Sequence, residues 1–460
     1  MPRSSFLARF LAHAADQPAL RFDRWYSYGE LRELGERTAG WLAGNGVRRG
    51  DVVAIQLENG RDVVAVHLGC MALGAVRLPM NAHYRSAEIR PIIEDAAPTL
   101  AITRDAAAFS GVRVVTEVGS GERMGEWEDD GTTALLFTSG TTGRAKGVPQ
   151  TWEMWESNLD AIAERWELTK DDCLWLTLPL FHTHGLVLGL HGTLLRGASA
   201  VLSARFDPVA PPEGVTHFYG VPTFYRRWTE RMATHPQEFT ALTLLVSGSD
   251  GLPAALSDEV FALTGHRVLE RYGMTETVMI ASNPRSGERR AGTVGTPVRG
   301  MEVRIHEGEV QVRGPSVFAG YVPRSDPDAF TEDGWFRTGD AGQWDDAGYL
   351  KIVGRMKELI IVGGVNVSPA EVEEHLRHVP GVAEIGCCGV PDRDLNEVVV
   401  AAVVADGTVS NDTLLVSLET AAKEMSGLKR PKRWVIVDAL PRNAMGKLQR
   451  GRIAKELFQP

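Results

Sequence analysis

LLFTSGTTGRAKGVP, residues 135–149, is the stretch on which the reading of this chain turns. A strand-like apolar opening runs into hydroxylated residues and glycines and then into Lys146. Small residues such as Gly140 and Gly143 let backbone N–H groups approach phosphate oxygens. The hydroxyls of Thr138, Ser139, Thr141 and Thr142 add donors, and Lys146 adds charge. The segment is not a Walker loop. Counted from Gly140, that motif needs Gly where Ala145 stands and Ser or Thr where Gly147 stands. No G-x-G-x-x-G opens a helix and no G-x-S-x-G occurs, which leaves dinucleotide redox chemistry and serine hydrolysis without support.

Outward from this loop, the flanking chain reads as layered α/β. DVVAIQL (51–57), VVAVHLGCMALGA (63–75) and TLAITR (99–104) give strand, helix, strand, the rhythm of a parallel sheet with crossover helices. CLWLTLPL (173–180), ASAVLS (198–203), GVTHFYG (214–220) and LTLLVSG (242–248) continue it as strands. Between 300 and 350 the pattern changes: EVRIHEGEVQVRG alternates around a Glu-Gly turn, an antiparallel hairpin in a small β-subdomain. From about 355 a compact α+β unit follows. PAEVEEHLRHV (369–379) and 411–426 are helices, and AEIGCCGVP and EVVVAAVVA are strands.

At 460 residues the chain has room for two or three domains of roughly 150 residues each. Lys+Arg 49 against Asp+Glu 59 leaves a net −10, which opposes a general nucleic-acid coat. Residues 421–460 run against that balance, with ten Lys/Arg and three Asp/Glu, a surface suited to a polyanionic small molecule. The four cysteines (Cys70, Cys173, Cys387, Cys388) are too scattered for a disulfide framework or a thiolate zinc site. No apolar run reaches the roughly 18 residues of a membrane span. MPRSSFLARFLAHAADQP reads as an amphipathic helix and not as a signal or presequence. A reduced, cytoplasmic protein is expected.

TSGTTGRAKG resembles the signature loop of the adenylate-forming superfamily, which includes acyl-CoA synthetases, adenylation domains and beetle luciferases. RYGMTET (271–277), FRTGD (336–340), GYLKIVGRMKELI (348–360), GGVNVSPAEVEE (363–374) and PRNAMGKLQR (441–450) follow in the family's order. The resemblance covers almost the whole chain. It implies a large N-terminal domain of parallel-sheet α/β layers, residues 1–354, and a smaller mobile C-terminal α+β domain, residues 355–460. The implied cosubstrates and cofactor are ATP, CoA and Mg²⁺.

In such an enzyme a carboxylate attacks the α-phosphorus of ATP, so an anion must approach a polyanion and the leaving charge must be held. By resemblance, residues 138–146 grip the β- and γ-phosphates. Glu276 holds Mg²⁺, a hard cation suited to oxygen ligands. Thr275 contacts the α-phosphate and Tyr272 stacks on adenine. Asp340 takes the ribose hydroxyls, with Arg355 at the same sugar, and Lys447 bridges the attacking carboxylate and the α-phosphate. Lys357 stands at the family's hinge. Gly363 and Gly364 line its pantetheine tunnel, where missing side chains suit a backbone beside a narrow ligand.

LPLFHTHGL (178–186) puts His182 and His184 two apart, readable as a metal pair on a strand that lacks a third ligand at sensible spacing. The family places His182 at the acyl group. FHTHGL, GVPTFYRR, LERYGMTET and PRNAMGK most resemble malonyl-CoA synthetases, in which arginines matching Arg227 and Arg271 hold a distal carboxylate. The bland alternatives are an exposed helix residue for Arg227 and a β-edge ion pair for Arg271. Asp250, in SGSDGLP, adds an anion near the pocket, and Ile280 makes the chain after MTET less polar than in that subgroup. The expected activity is ATP-dependent acid–CoA ligation, with malonate or methylmalonate as acid. The alternatives are another short, medium-chain or aryl acid, loading of a carrier protein in place of CoA, and a catalytically idle nucleotide-binding scaffold.

Overall fold

The computed structural model describes residues 5–124, 127, 131–138, 145–442 and 448–458. The chain divides into two compact units. One takes in residues 1–303, 312–336 and 345–350, the other 304–311, 337–344 and 351–460.

The larger unit contains two mostly parallel sheets. In the six-stranded sheet the order is Arg113–Val115, Leu100–Thr103, Val52–Gln56, Val76–Pro79, Thr132–Thr138 and Lys146–Thr151; only the last strand runs antiparallel. Helix Arg61–Leu73 makes the crossover between Val52–Gln56 and Val76–Pro79. Its residues 63–73 are all buried, which is why this helix reads as a nearly continuous apolar run. The nine-stranded sheet has a parallel interior, from Leu269–Tyr272 through Leu244–Ser247, His217–Gly220, Cys173–Leu176 and Ser199–Leu202 to Pro18–Arg21. The expected N-terminal helix is Ser5–Ala12, with Phe6, Leu7 and Phe10 buried.

One strand is shorter than its sequence suggests. Within CLWLTLPL only Cys173–Leu176 is extended; past Pro179 the chain turns into a π-helix, His184–His191. His182 and His184 are therefore not a strand pair, which corrects the sequence expectation. A π-helix spanning two turns is uncommon and concentrates at functional sites.

Strands Glu302–His306, Glu309–Arg313, Phe336–Trp344 and Leu350–Arg355 form a four-stranded sheet in that order. Glu307 and Gly308, with φ of 51° and 80°, make the two-residue turn expected between the first two strands. In the smaller unit, Val382–Asp392 pairs antiparallel with Asn396–Ala405, and Arg433–Ile436 adds in parallel. Cys387 and Cys388 are buried within the first of these strands, as the sequence suggested. Helices Pro369–Leu376 and Asn411–Ala422 contribute Val372, Leu376, Leu414 and Leu418 to this unit's core.

Candidate active site

Two antiparallel strands, Thr132–Thr138 and Lys146–Thr151, flank the segment expected to bind phosphate. Thr138 pairs with Lys146 as the last rung between Thr132–Thr138 and Lys146–Thr151. Ser139, Gly140, Thr141, Thr142 and Gly143 lie outside the described residues, and Thr138 and Lys146 bracket them. The Lys146 ammonium pairs with Asp326 and lies 4.8 Å from the centroid of the Tyr321 ring. The Tyr321 hydroxyl in turn donates to Glu276 Oε1 at 2.8 Å. Lys146, expected at phosphate, and Glu276, expected at Mg²⁺, are thus linked through Tyr321.

Glu276 sits in a tight turn in which Met274 O accepts from the amides of Thr277 and Val278. Val278 has φ of +62°, a strained value for a β-branched residue and one that recurs at functional sites. The Glu276 carbonyl accepts from Phe318 N at 2.9 Å, and the residue is 4 % exposed. A buried, acceptor-only carboxylate fits a hard divalent cation that brings its own phosphate and water ligands. The turn is also tied to strand Lys146–Thr151. Buried Gln150 donates to Thr275 O at 2.6 Å and accepts from Trp155 Nε1 at 2.8 Å. Sequence reasoning missed Gln150, Tyr321 and Asp326. None carries a local signal, and each acts on a partner 45 to 180 residues away. Tyr272 ends strand Leu269–Tyr272 half-buried, its carbonyl bound to Ile280 N at 2.9 Å.

The acid-binding candidates separate in the structure. Arg271 lies in the sheet interior, between Leu244–Ser247 and Ala281–Ser282, and is 7 % exposed. Gly248 makes room for it: a Cβ there would lie 2.3 Å from Arg271 Cζ. Burial lowers the guanidinium's pKa to about 10, and its Nε and Nη2 have no hydrogen-bond partner among the described residues. It is therefore not the β-edge ion pair of the bland reading. His184 is equally unsatisfied at both ring nitrogens and stacks 6.3 Å from Tyr219. Burial first, then the charge of Arg271, holds His184 well below the ordinary histidine range, so its ring is neutral. Ser247 Oγ and Thr183 Oγ1 are likewise buried without partners. His182 opens the turn into the π-helix, and burial lowers its pKa to about 4. Among the described residues no group of three or more His, Cys, Asp or Glu side chains is arranged to hold a metal ion.

Arg227 is in a different setting. It stands on the exposed face of helix Pro222–Thr234, its Cζ 5.5 Å from the Phe206 ring centroid. Asp250 is exposed too, its carboxylate folded back on the Gly251 amide at 2.9 Å. Ile280 is fully buried.

In the smaller unit, Asp340 lies within strand Phe336–Trp344, buried, and pairs with Arg355 Nε at 2.9 Å. The two residues expected at one sugar are thus in contact. Exposed Lys357 is the middle residue of the short 3₁₀ turn Met356–Glu358. Gly363 and Gly364 form the two-residue turn between Ile360–Val362 and Val365–Val367, with φ of 57° and 82°. Positive φ at both positions is a backbone conformation that favours glycine. Lys447 lies outside the described residues; next to it, Leu448 forms an antiparallel bridge with Arg442.

Comparison with known proteins agrees with this geometry. Residues 7–322 match the AMP-binding enzyme family, and residues 371–447 match the AMP-binding enzyme C-terminal domain. A malonate–CoA ligase from Arabidopsis thaliana is 33% identical, with 95% of this chain and 83% of that protein aligned. An oxalate–CoA ligase from the same plant is 34% identical over 94% of both. The crystal structure of ATP-bound MatB from Rhodopseudomonas palustris superposes with a TM-score of 0.90 at 34% identity, covering 100% of this chain and 99% of that one. With the buried Glu276 carboxylate and the Asp340–Arg355 pair each at a family motif, and relatives matching nearly end to end, the chain belongs to the AMP-binding enzyme family.

Proposed function

We propose that this enzyme activates malonate or methylmalonate, and that it does so in the cytoplasm. At the coarser level the chain is an AMP-forming acid–CoA ligase that uses ATP, Mg²⁺ and CoA. Among the described residues no helix is long and apolar enough to cross a membrane.

The dicarboxylate reading rests on one observation, the buried guanidinium of Arg271 with two N–H-bearing nitrogens unpartnered among the described residues. An unpaired buried cation is costly, and the cost is offset when a substrate supplies the anion. Neutral His184, Ser247 and Thr183 add polar groups also left without protein partners. Arg227 contributes from a solvent-facing position, so its screened charge matters less. Arg227→Ala is expected to lower kcat/KM for malonate by about threefold or less, mostly through KM. Steady-state kinetics on malonate checks this.

In the first half-reaction the segment 138–146, with Lys146, holds the β- and γ-phosphates. Thr275 lies at the α-phosphate, Tyr272 at adenine, and Asp340 with Arg355 at the ribose. Glu276 would hold Mg²⁺, whose charge neutralises the developing pyrophosphate. His182, neutral at pH 7, closes the acyl end without adding charge. Lys447 brings the attacking carboxylate and the α-phosphate together. Residues 1–354 act as the adenylation domain and 355–460 as the mobile domain, turning at Lys357 so that the loop of Gly363 and Gly364 can line the path of CoA. Fixing the backbone at the turn tests this. Lys357→Pro should retain ATP–pyrophosphate exchange and lose thioester formation, and equal loss of both would remove the hinge.

A panel of acids scored by CoA-dependent AMP release tests the whole reading. Malonate and methylmalonate should lead it. Preference for a monocarboxylic acid would remove the dicarboxylate assignment, and acyl transfer only to a carrier protein would replace CoA as acceptor.

A further inference from the structure

Gln150 is a fully buried polar side chain in the edge strand Lys146–Thr151 of the six-stranded sheet. A buried amide must satisfy both of its ends, and its neighbours decide which end points where. Trp155 Nε1 meets one amide atom at 2.8 Å, and an indole N–H can only donate. That atom is therefore the oxygen, and the NH₂ group is the one that faces the Thr275 carbonyl at 2.6 Å. What encloses the indole holds this orientation in turn. Trp155 is fully buried, with the Arg77 guanidinium 4.8 Å from its ring centroid and the His191 ring edge-on at 4.7 Å. Arg77 Nη1 donates to His191 Nε2 at 2.8 Å, so the indole is wedged against a bonded pair.

The carbonyl that Gln150 holds belongs to strained backbone. The turn carrying Thr275 and Glu276 ends at Val278, with φ of +62°. Such a conformation persists only where the surroundings over-determine it. Here Phe318 N donates to Glu276 O at 2.9 Å, Asn158 Nδ2 donates to Met279 O at 2.8 Å, and Gln150 Nε2 donates to Thr275 O. Of these, the Gln150 bond is the one on the peptide unit that joins Thr275 to Glu276.

We propose that Gln150 is a positioning residue for adenylation: its amide N–H holds the Thr275 carbonyl so that the turn presents Thr275 and Glu276 to the nucleotide. This rests on the ligase reading above, which assigns those two residues to the α-phosphate and to Mg²⁺. The amide touches no reacting atom. It acts on geometry, and a displacement of about 1 Å at a reacting centre can cost about 10²-fold.

Gln150→Glu keeps the shape and the acceptor for Trp155 and replaces the N–H donor by a carboxylate oxygen. At about pH 8.5 it should lower kcat for ATP–pyrophosphate exchange, with the leading acid of the panel, by about 10- to 100-fold, and leave KM for ATP and acid within about threefold. Protonation of the introduced carboxyl, which burial favours, restores an O–H donor toward Thr275. The loss relative to the parent should therefore shrink at least about threefold by about pH 6. Arg77 and His191 beyond the indole, and Glu276 next to Thr275, are common to both proteins, so the ratio isolates the substituted side chain. Gln150→Met, uncharged and of similar length, offers no donor and should show the same loss at both pH values, with thermal unfolding as the control on the core. Exchange within about twofold of the parent in Gln150→Met, a loss carried by KM, or a Gln150→Glu ratio that does not change with pH would overturn the proposal. A parent enzyme that shows no acid-dependent exchange would instead overturn the ligase reading, so the two failures are distinguishable.

Discussion

Lys447→Ala is expected to lower ATP–pyrophosphate exchange by at least about 10²-fold and to leave thioester formation from supplied acyl-adenylate within about threefold of the parent. The asymmetry follows from where charge develops. In the first half-reaction a carboxylate must reach a phosphorus surrounded by negative oxygens, and a cation shared by both is worth most in the transition state. In the second, a thiol attacks a mixed anhydride whose leaving group is already a phosphate ester, and that cation has no equivalent place. Exchange that survives the substitution would place the catalytic cation elsewhere and undo the assignment of PRNAMGKLQR.

The parallel strands were legible in sequence because they are buried on both faces and short. VVAIQ, LAIT and LLVS are apolar runs bounded by turn residues, and each is a strand within a residue or two of its expected limits. FHTHGL was not legible. Alternating polar and apolar residues after a strand read as more strand, whereas Pro179 ends the extension and the chain winds into a π-helix. The two arginines show a related limit. Arg227 and Arg271 are alike in composition and flanked by similar aromatics, yet one follows a helix face into solvent and the other enters a sheet interior. Neighbouring residues in sequence do not fix that difference; the packing of Gly248 against the guanidinium does. Gln150, Tyr321 and Asp326 were invisible for the same reason, since each acquires its role from a side chain or carbonyl remote in the chain. The paired glycines 363 and 364 were seen, but the two-residue turn they form between Ile360–Val362 and Val365–Val367 was not, because its strands are only three residues long.

Arg271→Met should divide function from stability. Catalytic efficiency with malonate is expected to fall by about 10²-fold or more, because the distal carboxylate loses a desolvated partner and stays buried without one. Isovalerate, which keeps the branched shape and replaces the distal carboxylate by an isopropyl end, should gain relative to malonate by at least the same factor. The stability effect has the opposite sign. In the free enzyme Arg271 carries a buried charge with Nε and Nη2 unsatisfied, and methionine fills a similar volume without that penalty. The variant should therefore unfold at higher temperature than the parent, with a gain on the order of 1–4 kcal/mol. Gly248→Ala makes the complementary test, because it crowds the guanidinium without removing its charge. It should lower malonate efficiency and stability together. A methionine variant that is less stable than the parent would mean that Arg271 is held by partners of its own and is structural. One that retains malonate activity would mean that the second carboxylate is bound elsewhere, and the substrate class would have to be argued again from Arg227 and the exposed helix that carries it.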